Sequence, residues 1–146
     1  MQLRYILYKP IFIIYLFSII SYSGYSQCKD FSVNTCKLAL HPFIHDGMYN
    51  AHVLSTGESA ELFKTFFAEL NYRVLVCKSD KIQSIQMVVM DTKHNVLYTY
   101  NLDEKANTWD LVLQSSQQLI IGLNIKKQDQ IESGCVSILI GFEEKP

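Results

Sequence analysis

After position 70 the chain alternates between short runs of branched and aromatic residues and polar turns. The runs occupy 72–77, 85–90, 96–100, 109–113, 119–125 and 135–140, each five to seven residues long. Residues with two heavy groups on Cβ, or with flat rings, pack well on a pleated surface and favour strands. Between the runs lie Lys78-Ser79-Asp80, the segment 91–95, the segment 103–107, Ser115-Ser116 and the segment 128–134, all rich in turn-forming side chains. Strands at this spacing predict an all-β chain, an antiparallel, jelly-roll-like β-sandwich of about seven to eight strands.

The segment 58–70 fits two periods. Leu62, Phe63, Phe66, Phe67 and Leu70 fall at helical spacing. The same residues form a strand with Ala60, Leu62 and Phe66 on one face and Phe63 and Phe67 on the other. Its all-β surroundings favour the strand.

The N-terminus follows a different pattern. Arg4 and Lys9 precede an apolar run of 10 residues, Ile11 to Ile20, and then Ser21-Tyr22-Ser23-Gly24-Tyr25-Ser26. A basic start, a short apolar middle and small residues before a cut form the layout of a secretory signal. A membrane-spanning helix needs roughly 20 apolar residues, so removal is the first reading and retention as an anchor the second. Gly24 and Ser26 place the cut before Gln27. Gln27 ahead of Cys28 does not suit a lipoprotein signal, which has a small residue there. The expected organisation is a signal peptide at 1–26, an irregular N-terminal arm at 27–47 and the sandwich at 48–146. The location implied is the periplasm, the cell surface or the medium, with no membrane insertion once the signal is gone.

Export changes the meaning of the cysteines. Cys28, Cys36, Cys77 and Cys135 all follow the predicted cut. An even number in an oxidising compartment reads as disulfides, and no close C-x2-C pair suggests zinc. Antiparallel pairing of 72–77 with 135–140, with Cys77 opposite Cys135, sets Val76 against Val136, Val74 against Ile138 and Tyr72 against Ile140. One face is then wholly apolar. This register predicts a Cys77–Cys135 bridge and leaves Cys28–Cys36 as the second. Removing Arg4 and Lys9 from 13 basic residues leaves 11 against 14 acidic, a formal charge of −3. That balance gives no basic face for nucleic acid.

Few residue patterns carry chemistry. His41, His45 and Asp46 are the best metal candidates, but Pro42 disfavours the helix that would put His41 and His45 on one face. Gly57-Glu58-Ser59 is half of a G-x-S-x-G elbow, with Glu61 where the last glycine belongs. Asp103 and Glu104 lack the spacing of a calcium loop. Tyr98 and Tyr100 share a strand face and could join Trp109 as a stacking platform, or simply fill the sandwich. No cofactor is expected.

Gly57-Glu58, Phe66-Phe67, Tyr72-Arg73-Val74-Leu75-Val76, Val88-Val89-Met90-Asp91 and Ile138-Leu139-Ile140-Gly141-Phe142 follow an order that resembles bacterial pre-peptidase C-terminal (PPC-like) domains. The glycine that family has before its tyrosine is replaced here by Glu69-Leu70-Asn71. The chain also resembles exported β-sandwich proteins of Bacteroidota, whose signals often end in Ser-Gln. The resemblance implies a strand at 58–70 and an accessory module without catalytic residues. The expected function is a non-enzymatic binding module contacting an envelope or surface protein. A carbohydrate-binding module using Tyr98, Tyr100 and Trp109 is the alternative. A small metal-dependent hydrolase using His41, His45 and Asp46 is the third reading.

Overall fold

The computed structural model describes residues 24–127 and 132–145. The predicted signal at 1–26 lies outside the described residues except for 24–26, which begin a helix. Among the described residues, helix α1 (Gly24–Phe31) runs into a π turn (Ser32–Cys36) and a 3-10 turn (Lys37–Leu40). Nine strands follow: β1 (Ile44–His45), β2 (Asn50–Ser55), β3 (Ser59–Phe66), β4 (Leu70–Lys78), β5 (Ile85–Met90), β6 (Val96–Leu102), β7 (Ala106–Val112), β8 (Gln117–Ile125) and β9 (Ser133–Glu144).

The strands form two antiparallel sheets, as the spacing of the apolar runs predicts. The first is ordered β1-β9-β4-β7, with β2 also on β9, and the second β3-β8-β5-β6. Val74, Val76, Ile138 and Ile140 of the first sheet meet Met87, Val89, Ile121 and Leu123 of the second in the central core. The segment 58–70 is β3 and the start of β4. Phe66 is fully buried, with Ala60 and Leu62 packed on the core beside it, while Phe63 and Phe67 face outward. The alternating reading therefore holds against the helical one. Gly57, at φ +87°, turns the chain from β2 to β3, and the Glu58 carboxylate accepts the Ser55 N–H at 2.7 Å.

The first sheet is apolar on its outer face too. Leu75, Cys77 and Leu139 are buried there in a second cluster with Cys36 and Leu40. The cover is the N-terminal arm, which is helical to Leu40 rather than irregular throughout as expected. Its buried residues recur every four positions: Cys28, Ser32, Cys36 and Leu40. They lie over the outward residues of β9 and β4. Cys28 is bonded to Cys135, Ser32 Oγ is 2.6 Å from Ser137 Oγ, and Leu40 lies over Gly141. Each step of four residues along the arm thus matches a step of two along β9, from Cys28 at Cys135 through Ser32 at Ser137, and Leu40 reaches Gly141. Serine and cysteine are small enough for this close approach.

Two expectations about the cysteines are corrected. β4 and β9 do pair antiparallel, but two residues from the expected register: Val76 faces Ile138, Val74 faces Ile140, Tyr72 faces Phe142 and Cys77 faces Ser137. A shift of two leaves every side chain on its original face, so apolar patterning cannot tell the registers apart. The observed one puts Arg73 opposite Gly141, where the missing side chain admits Phe43 and Leu40. Cys135 then lies beyond Cys77 and bonds Cys28 instead, so the bridge is Cys28–Cys135, with Cα atoms 5.3 Å apart. Neither the Cys77–Cys135 nor the Cys28–Cys36 bridge forms. Cys36 and Cys77 are free, buried thiols.

The bridge closes a span of 107 residues. Loops of that order lose the most unfolded-state entropy on cross-linking, so a Cys28→Ser/Cys135→Ser variant should lose about 2–5 kcal/mol in urea unfolding. A Cβ at position 141 would come 2.7 Å from Phe43 Cβ and 3.2 Å from Leu40 Cδ2. Gly141→Ala should therefore cost about 1–3 kcal/mol through overpacking, measured the same way.

Candidate functional site

At one side of the sandwich the edge strands of the two sheets, β6 and β7, run beside each other, joined by residues 103–105. Their rings converge. Tyr98 and Tyr100 have centroids 6.4 Å apart with planes 26° from parallel. Trp109 lies 6.1 Å from both, tilted by 52° and 43° respectively. Trp109 is half-buried and packs on the central core, whereas Tyr98 is 54% exposed and Tyr100 37%. The three residues singled out in the sequence thus meet. They form a tilted cup rather than a flat platform, and Tyr100 and Trp109 line a cleft of about 50 Å³ that reaches Val74, Met87 and Leu102.

The same edge has a feature that patterning did not single out. β6 carries no charged residue from Val96 to Leu102, and Val96 and Leu97 are 60% and 44% exposed. β6 pairs with β5 along one side, and no ladder covers its other side among the described residues. Edge strands are commonly blunted by charge, proline or a bulge. Here the only irregularity is a register shift opposite Val89 and Met90, at the start of β6. The signal in the sequence was the uncharged run itself; its place at an edge was not legible.

β7 is held to the rest of its sheet by β4 alone. Next to Trp109, Asp110 accepts two hydrogen bonds from Arg73, from Nε and Nη2, both at 2.6 Å. This fork lowers the pKa of the Asp110 carboxyl, against the opposing effect of burial. Arg73 also donates to the His41 carbonyl at 3.2 Å and lies 4.4 Å over the Phe43 ring. One guanidinium therefore ties β7, and with it Trp109, to the end of the N-terminal arm.

Two of the metal candidates meet, His45 Nε2 lying 3.7 Å from Asp46 Oδ1, and no third ligand joins them among the described residues. His41 is exposed at the end of the 3-10 turn, before a cis bond to Pro42. Asp46 is engaged by Lys64 at 2.6 Å and by the Met48 N–H at 2.9 Å, while His45 Nε2 lies 3.2 Å from the Met48 carbonyl. Among the described residues, no group of three His, Cys, Asp or Glu side chains is placed to hold a metal. Ser59 begins β3 rather than a strand-to-helix elbow. Asp103 accepts the Ser84 hydroxyl at 2.8 Å. On the opposite side of the sandwich, a cleft of about 140 Å³ between β2 and β3 is lined in part by Asn50, His52, Glu61 and Leu62.

No protein-family model matches the chain, and no curated protein matches it. Solved structures do. The periplasmic inhibitor of g-type lysozyme from Aeromonas hydrophila, PliG, aligns with a TM-score of 0.50 at 10% identity, over 70% of this chain and 89% of that one. The CBM36-1 domain of a multidomain xylanase from the hindgut metagenome of Trinervitermes trinervoides aligns at 0.36 and 8% identity, over 70% and 92%. The first match shows a shared fold; the second is too distant to carry an argument. The fold is the β-sandwich that the resemblance to PPC-like domains implies, and no family model ties the chain to those domains.

The Asp110–Arg73 fork has a pH signature. A carboxyl lowered in the folded state contributes stability above its unfolded value, near 3.9 for aspartate, and loses it as the pH falls through the folded one. The Asp110 side chain is 52% exposed, so solvent screens the pair. Asp110→Asn should lower stability by at most about 1 kcal/mol at pH 7. The gap from the parent should close in unfolding curves taken progressively below the ordinary aspartate range.

Proposed function

We propose that the chain is an exported, non-enzymatic binding module that takes an extended segment of an envelope protein along the open edge of β6. The uncharged, exposed edge of that strand carries the reading. Its unpaired backbone groups offer a partner strand a row of hydrogen bonds, and Val96, Leu97 and Tyr98 add apolar contact. The ring cup of Tyr98, Tyr100 and Trp109 would receive one side chain of the added segment, since aromatic residues commonly anchor protein interfaces. Export is supported by the signal-like N-terminus and by the Cys28–Cys135 bridge, which persists in oxidising compartments. The fold shared with a periplasmic inhibitor protein is compatible with this location and with a protein partner.

A glycan is the second reading, and the ring cluster favours it. Sugar rings stack on exposed aromatic faces, and Tyr98 offers the most exposed one. The tilt of Trp109 and its packing on the core weigh against a flat sugar platform.

A photo-crosslinking residue at Leu97 in cells that make the protein separates the readings. We expect a covalent adduct with one envelope protein, abolished by Thr99→Lys, which puts a charge on the edge while leaving the rings in place. Stability of that variant should stay within about 0.5 kcal/mol of the parent, as for most surface changes. An adduct indifferent to Thr99→Lys would overturn strand addition. Retention on a glycan array that disappears in Tyr98→Ala, with no protein adduct, would favour the sugar reading instead.

A further inference from the structure

Cys36 and Cys77 are 0% and 1% exposed, and both belong to the cluster between the N-terminal arm and the outer face of the first sheet. Three observations bring their sulfurs together. Cys36 is four residues after Ser32 in the buried row of the arm. Ser32 touches Ser137 at 2.6 Å, and Ser137 is the ladder partner of Cys77. Each thiol is the largest single influence on the other's protonation. Leu75 and Leu139 complete the pocket around them.

We propose that Cys36 and Cys77 are the site of a second disulfide, which fastens the π turn of the arm to β4. The oxidant is an external disulfide, of the kind a dithiol oxidase or oxidised glutathione supplies. The Cys36 thiolate attacks one sulfur of that disulfide, and the other sulfur leaves as a thiolate. Cys77, after giving up its proton, attacks Cys36 sulfur in the mixed disulfide and releases the second external sulfur. The balance is two protein thiols and one external disulfide in, and one protein disulfide and two external thiols out. The same balance holds with the two cysteines exchanged. Because both sulfurs are covered, exchange takes place while the arm is still undocked or when it lifts.

The chemistry separates this bridge from the first. Cys28–Cys135 ties the start of the arm to β9; Cys36–Cys77 ties its middle to β4. With both formed, the arm cannot leave the sheet between Cys28 and Cys36.

The test uses the full chain, refolded from the reduced state with oxidised glutathione as the probe, so it does not depend on the proposed export. Lys29 lies between Cys28 and Cys36, and trypsin releases Cys36 within residues 30–37 and Cys77 within 74–78. We expect these two peptides to appear joined without reductant and to separate with it, and no free thiol to be titratable in denaturant. A Cys36→Ser variant should then expose one titratable thiol, at Cys77. If that variant does not fold, Cys77→Ser should likewise expose one at Cys36. Recovery of the two peptides unlinked, with two free thiols in a chain whose Cys28–Cys135 bridge has formed, would overturn the proposal. Linkage of Cys36 to Cys28 or Cys135 would overturn it equally.

Discussion

The fold depends on a sheet that is buried on both faces. β4 and β9 supply Val74, Val76, Ile138 and Ile140 to the central core and Leu75, Cys77 and Leu139 to the opposite side. A one-layer cover for the second face is obligatory, because leucine side chains of this kind gain about 1.5–3 kcal/mol each when fully buried. The cover comes from the arm that precedes the sandwich, and three different interactions fix its position. A disulfide holds its start, the contact of two serine hydroxyls lies in its middle, and the Arg73 guanidinium grips its end through the His41 carbonyl and the Phe43 ring. Arg73 also reaches Asp110 on β7, so the cover and the edge strand carrying Trp109 share an anchor.

The strands were legible because their apolar residues recur with the period of the pleat. Strand β5 matches the run at 85–90, and the face assignment in β3 follows from Ala60, Leu62 and Phe66. The register of β4 on β9 was not legible, since a displacement of two preserves both faces. Only Gly141 hints at the choice: it alone on that face leaves room for Phe43. The arm was misread for a different reason. Its buried row is Cys28, Ser32, Cys36 and Leu40, and an apolar count passes over serine and reads cysteine as a bridge rather than a core residue. A four-residue period of small side chains was present in the sequence; its meaning required the outer face it covers.

The candidate site shows a similar division. Alternation along 96–100 put Tyr98 and Tyr100 on one face, and that pairing is visible in the stacked rings. The company of Trp109 is a product of topology. β6 and β7 belong to different sheets, and their edges meet only because residues 103–105 cross from one layer to the other. The openness of β6 has the same origin. A run of uncharged residues in the middle of a sheet is ordinary core; at an edge it is an exception to the usual protection by charge.

These two regions impose opposite demands on the sandwich. β9 is paired on both sides, with β4 on one and β1 and β2 on the other, and both its faces are covered over its middle, so cross-linking suits a surface that never needs to open. On β6 one side of the ladder is left unpaired and its side chains stay exposed, which suits a surface that acquires a partner. The stiffness of the first supports the second through a short physical path. The arm fixes Arg73, Arg73 fixes Asp110, and Asp110 holds β7 where Trp109 closes the ring cup against Tyr98 and Tyr100. A disulfide on the far face of the sheet is thus connected to the geometry of the aromatic edge through the backbone of the arm, the His41 carbonyl and the Arg73–Asp110 fork. No change of conformation is needed for that coupling, because a rigid scaffold reduces the freedom an edge must lose when it binds.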